Sequence, residues 1–272
     1  MPDPTSSLAT TNLLIGIDDT DGEGSRGTGA LAVSLIQALD ADRVGAAMGV
    51  TRHQLYRGPG VEATSENVAL CLALKASHRL EPSAFVDFVS AFLEAERGPG
   101  SAPGVAIARE PAWEDAQTAM RLTNFGQQAK SSVVDVATAQ AVAPDVHVHL
   151  ASFGGSDRGV VGALAAVALH ASGEDGIFLW LPDLEDAVGQ ITYRQLRLLA
   201  PAIDIALDPD GREPEPEQFV DVGTRVRPVL FKGLSVLLLD PPIEETAGGG
   251  FGARPTTTTR WVAAPREVIL QH

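Results

Sequence analysis

The apolar pattern of this chain changes period once between residues 13 and 39, and that change constrains the fold more than any other feature. Leu13 to Ile17 is a short continuous apolar run and reads as a buried strand, whereas Leu31, Leu35, Ile36 and Leu39 recur at helical spacing. Between them lies Asp18 to Gly29, a loop rich in carboxylates and glycine, with Thr28 or Ser25 available to cap the helix that follows. A strand, a polar loop and a helix in that order point to the mixed α/β class, written α/β (α+β).

The rest of the chain keeps alternating. Ala46 to Tyr56 and Asn67 to Lys75 read as extended, the latter with Val68, Leu70, Leu72 and Leu74 in alternation, and Pro82 to Glu96 has helical periodicity. A turn over Gly98 to Gly104 leads to a short strand, Val105 to Ala108, and helices are expected over Ala112 to Leu122 and Ala129 to Ala141. Val146, Val148 and Leu150 alternate with His147 and His149; Val160 to Ala171 follows as a helix of small residues that invites close packing. Ile177 to Leu181 reads as a strand, Ile191 to Ala200 as a helix, Asp208 to Gln218 as an acidic surface connection and Val226 to Asp240 as strand again. Ala247 to Thr259 is expected to be a mobile tail, with Trp261 to Leu270 as a last extended piece.

Composition narrows the function. With 272 residues and 44% hydrophobic content the chain can bury a sizeable core, and its single cysteine, Cys71, excludes an internal disulfide or a zinc site with several thiolates. A reducing, cytoplasmic setting is the expectation. No apolar run reaches the roughly 20 residues of a spanning helix, so no membrane partner is expected. There are 20 basic and 35 acidic residues, a formal net charge of -15, and nothing resembling a basic cluster, so nucleic acid is not expected to bind to this chain by itself.

The chemistry concentrates in IGIDDTDGEGSRGTGALA, residues 15–32. Mg²⁺ takes oxygen ligands, commonly one or two carboxylates with substrate phosphates completing the shell, and Asp18, Asp19 and Asp21 supply such oxygens. Alternation along an extended segment puts Asp19 and Asp21 on one face and Asp18 on the other. Gly24, Gly27 and Gly29 permit backbone amides to approach a phosphate at the start of the helix. A calcium loop does not fit, because the twelfth position from Asp19 is Ala30 where a glutamate is needed. An ordinary P-loop does not fit either, since Gly29 is followed by Ala30 instead of Lys and Ser or Thr. The same residues also suit a plain turn that ends a strand and caps a helix.

A second run, Gly154 to Leu169, places Arg158 at a glycine-flanked helix start within reach of phosphate oxygens, and reads equally as a capped core helix. Lys130, beside Ser131 and Ser132 at an expected helix start, is a candidate phosphate cation or a solvated charge. His53, near Arg52 and Tyr56, is a polar contact for the pocket or a surface residue. His147 and His149 would share a strand face, but no third metal ligand accompanies them.

These motifs, taken together, resemble the archaeal tRNA-isoleucine agmatinylcytidine synthetase (TiaS) family and its bacterial relatives. Gly16 to Asp21 looks like the family's Gly-Ile-Asp-Asp-Thr-Asp strand end, Thr64 to Asn67 like its Thr-x-x-Asn element, Pro103 to Val105 like its Pro-Gly-Val strand, and Arg158 to Ala166 like its Arg-Gly helix start; the likeness thins after about Arg194. The resemblance implies a kinase-like ATP-binding domain over residues 1–195 and a smaller, partial ferredoxin-like region with a flexible tail over 196–272. It implies ATP and Mg²⁺ as cofactors, with Asp18, Asp19 and Asp21 carrying Mg-ATP and Thr28 at a threonine linked to self-phosphorylation. By the resemblance Arg158 and Gly159 would face the phosphates and Asn67 would join the site, and Gly27, Gly29 and Lys130, read above from the residues themselves, complete the expected nucleotide contacts.

Family members phosphorylate a cytidine oxygen and let an amine displace the phosphate, with ATP also split to AMP and phosphate. Here Gly22 stands where the family has serine, Ser65-Glu66 replaces an Arg-Gly pair, and no OB-fold or zinc-ribbon counterpart is seen. The expected activity is therefore Mg-ATP-dependent phosphorylation of a small-molecule or nucleotide-like substrate, with amine displacement as the second step. The alternatives are a nucleotide-binding regulatory protein without chemistry, or tRNA-cytidine agmatinylation with RNA-binding domains supplied by another chain. Self-association is left open.

Overall fold

The computed structural model describes residues 10–61, 66–77, 81–110, 112–247 and 256–269. The chain divides into two compact units, residues 1–180 and 181–272.

The first unit is built on an antiparallel sheet in which β5 (His149–Ser152), β4 (Gly104–Arg109), β1 (Thr10–Asp18), β3 (Val68–Ser77), β2 (Gly45–Gln54) and β6 (Ile177–Trp180) lie side by side. β1 is central, with Ile15 opposite Leu72 of β3 on one side and Ile107 of β4 on the other. Because successive strand residues point to opposite faces, these three strands put most of their large side chains on one face and, Leu14 apart, small ones on the other. Leu13, Ile15, Ile17, Leu70, Leu72, Leu74, Val105 and Ile107 meet helices α1 (Thr28–Ala41) and α2 (Pro82–Glu96) on one face.

The opposite face is paved with Ala69, Cys71, Ala106 and Ala108, and it receives α3 (Ala116–Ser131), α4 (Val136–Asp145) and α5 (Gly159–Ser172). α5 is buried along almost its whole length. A Cβ added at Gly16 would stand 1.9 Å from the carbonyl oxygen of Ala163, so β1 and α5 approach more closely than any side chain at residue 16 allows. The expectation that the small-residue helix admits a tightly packed neighbour is met here.

Helix boundaries differ from the sequence reading at α3 and α4. The expected break near residues 123–128 is continuous helix, and the break falls at Ser132–Asp135 instead. Capping decides it: Asp115 accepts the Thr118 N–H at 2.9 Å, Asp135 accepts that of Thr138 at 2.7 Å, and the β-branched pair Val133–Val134 lies between the helices. Lys130 consequently sits in the last turn of α3, not at a helix start. His147 adopts a left-handed backbone, φ 56°, before β5 begins at His149, so the two histidines are not alternate residues of one strand.

In the second unit, β10 (Val229–Phe231) and β11 (Leu234–Leu238) form a hairpin across Lys232 and Gly233, both at positive φ as a tight two-residue turn requires, and β8 (Ile205–Leu207) runs parallel to β11. A four-stranded sheet has the order β12 (Ile243–Ala247), β13 (Thr256–Val262), β9 (Phe219–Asp221) and β7 (Gln190–Thr192), with α6 (Tyr193–Leu199) following β7. Part of the expected tail, residues 248–255, lies outside the described residues. Thr256 to Thr259 belong to β13, where threonines suit a paired strand. The extended piece expected from Trp261 stops at Val262 and gives way to the short helix α7 (Arg266–Ile269).

Candidate functional site

Asp18 ends β1 opposite Gly104. The next residue, Asp19, has φ 52°, a left-handed conformation that ends the strand's alternation. For that reason the expected separation of Asp18 from Asp19 and Asp21 does not occur: all three line one cavity of about 730 Å³, together with Gly27, Thr28, Gly29, Asn67 and Arg158. Thr64 and Ser65, in the expected Thr-x-x-Asn element, lie outside the described residues.

Asp18 is held on two sides. Its Oδ1 accepts the Asp19 N–H at 2.8 Å, and its Oδ2 fills the space beside Gly162, where a Cβ would come within 1.8 Å of it. Burial pushes its carboxyl up to about 7, and the neighbouring charges of Asp19 and Asp21 push the same way against the stabilising hydrogen bond from Asp19. Asp19 is also raised, by burial first, with the Arg158 guanidinium opposing; Arg158 Nε lies 3.4 Å from Asp19 Oδ2. Asp21 Oδ1 accepts the Thr28 hydroxyl at 2.8 Å, and Thr28 accepts that of Thr20 at 2.9 Å.

The loop between the aspartates and α1 is closed on itself, with the Gly22 N–H donated to Ser25 Oγ at 3.1 Å and the Ser25 N–H returned to the Gly22 carbonyl at 3.0 Å. Neither Ser25 nor Thr28 caps α1. Its cap is Gly27 at φ 86°, which offers no side-chain acceptor, so amides of the first turn stay without a side-chain partner where Gly27, Thr28 and Gly29 line the cavity.

The remaining expected site residues divide. Asn67, at φ 41°, lines the cavity and donates its Nδ2 to the Tyr56 carbonyl at 2.6 Å. Arg158 lines it as well. Gly159 packs instead against β4, since a Cβ there would lie 2.2 Å from the Gly104 nitrogen. Lys130 is turned away from the cavity lining and pairs with buried Asp175. His53, on β2, is buried outside the cavity lining and also bonds Asp175, at 2.9 Å from Nδ1 to Oδ1.

Sequence reasoning missed the other end of the cavity. Arg52, paired with Glu66 at 2.5 Å, stands near Leu55 and Tyr56, and Val61, Val133, Val134, Val136 and Val161 make the lining apolar. The available signal was the apolar run Val133–Val134–Asp135–Val136 at a helix junction, where a polar connection is the norm. Among the described residues no three His, Cys, Asp or Glu side chains converge as a ready-made metal cage. Asp18, Asp19 and Asp21 nevertheless bring carboxylate oxygens to one cavity, a donor set that fits a divalent cation whose shell phosphate oxygens complete.

No helix among the described residues is long and apolar enough to cross a membrane. No family model matches the chain, and no curated protein does. Among solved structures it is similar to apo TiaS, a tRNA agmatidine synthetase, at 22% identity and a TM-score of 0.47, over 58% of this chain and 35% of that one. The complex of TiaS with its tRNA and ATP gives 23% and 0.48 over 58% and 36% of the two chains. A structure described as a tRNA fluorescent labeling enzyme gives the same values, 23% and 0.48 over 58% and 36%. This chain is thus similar to TiaS over part of its own length, and spans about a third of those structures.

Proposed function

We propose that the protein is a Mg-ATP-dependent phosphotransferase of ligase type, which phosphorylates a small-molecule or nucleotide-like substrate and then lets an amine displace the phosphate. One observation carries this reading: three carboxylates and the side-chain-uncapped first turn of α1 face the same cavity. A triphosphate needs both, because the metal it brings requires oxygen ligands and its free oxygens require donors.

Asp18, Asp19 and Asp21 would hold the metal, with the Thr28 hydroxyl orienting Asp21. When bound, Mg²⁺ supplies charge neutralisation to the transferring phosphoryl group. Gly27, Thr28 and Gly29 present backbone amides to phosphate, and Arg158, half-exposed beside Asp19, can turn its guanidinium onto a phosphate oxygen. The apolar wall from Val133 to Val136, with Leu55 and Tyr56, suits a purine ring. In the first step an acceptor oxygen bonds to the γ-phosphorus as the bridging P–O bond breaks, and the nucleotide leaves with that electron pair. In the second, the amine nitrogen bonds to the activated carbon as its C–O bond breaks, phosphate departs with that electron pair, and the nitrogen's proton passes to the departing phosphate or to water. Most of this is positioning and charge compensation.

The test is incubation with Mg²⁺ and γ-labelled ATP, alone and with a panel of metabolites and amines, with the Asp19→Ala variant alongside. Metal-dependent release of ADP, the nucleotide product of γ-phosphoryl transfer, that the variant lacks is the expected result; AMP in its place would show that a different bond of the triphosphate is cleaved. Tight ATP binding without turnover under every condition would leave a nucleotide-binding module instead.

A further inference from the structure

Behind the cavity wall lies a chain of polar groups that the proposed chemistry does not use. Lys130 at the end of α3 pairs with Asp175 in the turn between α5 and β6. Asp175 accepts from His53 Nδ1 at 2.9 Å, His53 Nε2 lies 2.8 Å from Thr51 Oγ1, and Thr51 Oγ1 lies 2.8 Å from Nδ1 of His170 on α5. Thr51 and His53 are wholly buried and Asp175 nearly so, while Lys130 and, in part, His170 reach solvent. In the tautomers that link the chain throughout, His53 Nδ1–H donates to Asp175, the Thr51 hydroxyl donates to His53 Nε2, and His170 Nδ1–H donates to Thr51. Burial keeps both imidazoles neutral by lowering their proton affinity, His170 to about 3, and His53 despite the opposing pull of Asp175.

The chain runs from α3 through the loop between α5 and β6 to β2 and ends on α5, and two of these elements, α3 and β2, run on directly into the cavity. One residue from Lys130, the Ala129 carbonyl accepts the Tyr56 N–H at 2.9 Å, and Ala129, Ser132, Val133, Leu55 and Tyr56 all line the cavity. A hydrogen-bonded network buried at its centre specifies one arrangement of the elements it joins.

We propose that Lys130, Asp175 and His53 are positioning residues: they lock the end of α3 to the end of β2, and so set the wall against which the ligand of this cavity packs. The ligand's identity rests on the Mg-ATP reading above; the locking does not.

The experiment therefore has two readouts on the full chain, hydrogen exchange at Tyr56 and residues 129–132, and Mg-ATP affinity by calorimetry. Variants are Asp175→Asn, Lys130→Met and Lys130→Arg, with Leu93→Ala, a core change in α2 on the opposite face of the sheet, as a control for general destabilisation. Lys130→Met should speed exchange locally at these amides and weaken Mg-ATP by about tenfold or more, since small misplacements of a binding wall are costly. Lys130→Arg should restore both, whereas Leu93→Ala should lower Tm without either local effect. Lys130→Met serves if Asp175→Asn does not fold. Unchanged local exchange in Lys130→Met, or effects that Leu93→Ala reproduces, would overturn the proposal. If the local exchange changes while the parent protein binds no Mg-ATP, the positioning role stands and the nucleotide reading alone fails.

Discussion

The carboxylate of Asp18 occupies the place that a side chain on residue 162 would need: a Cβ built on Gly162 falls 1.8 Å from Asp18 Oδ2. The first aspartate of the loop and the first turns of α5 are therefore fitted to each other. Gly162→Ala should drive the carboxylate out of its position and lower Mg-ATP affinity by about 100-fold. Calorimetric titration with Mg-ATP checks it, and affinity within twofold of the parent would remove Asp18 from the site.

Asp18 also gives a pH signature. Its folded carboxyl is raised to about 7 from an ordinary 3.8, so between these values the folded state keeps a proton that the unfolded state has released. Linkage then makes its contribution fall as pH rises through that window. Asp18→Asn should gain stability relative to the parent at pH 8, by about 1–3 kcal/mol because the site is partly open to solvent, and little at pH 4. Thermal melts of both proteins across that range, without nucleotide, measure the difference.

Arg158 and Asp19 form a loose pair, 3.4 Å apart and half-exposed on the arginine side, so the contact itself contributes little stability. Arg158→Ala should leave Tm almost unchanged, while Mg-ATP binding weakens roughly tenfold through the lost contact to phosphate. An arginine that matters only to the fold would give the opposite pattern.

Gly16 and Ala163 test the packing beneath the site. With the Ala163 carbonyl 1.9 Å from a Cβ at residue 16, Gly16→Ala must part β1 from α5 and should cost about 1–3 kcal/mol or more. Urea denaturation of the variant reports it directly.

Cys71 is buried on the small-residue face of β3, and burial pushes its thiol well above the usual range. It should resist a thiol reagent such as dithionitrobenzoate in the native protein and react at once in denaturant. Rapid native reaction would contradict the tight α5 packing.

Much of the frame around the site is legible in residue order because it depends on local periodicity. Leu13 to Ile17, Leu70 to Leu74 and Pro82 to Glu96 carry their period in neighbouring residues, and the structure has β1, β3 and α2 there. The alanines and glycines of Val160 to Ala171 likewise announce a closely packed helix, which is α5. Clustering Asp18 to Asp21 before Gly27 to Gly29 also marks the loop from sequence, since both the carboxylates and the helix start are local.

Long-range pairing decided the rest. One backbone angle at Asp19 brings Asp18 into the same cavity as Asp21, against strand alternation. Asp175, 45 residues away in sequence, takes Lys130 from the role its neighbouring serines suggested. Tyr56 and the valines after α3 become one wall only because the Tyr56 amide reaches the Ala129 carbonyl. Period and capping are properties of a few adjacent residues, and the sequence by itself determines them. Which charge a part-buried lysine meets, and which apolar residues close a cavity, depends on partners that only the folded sheet and its two helical layers bring together.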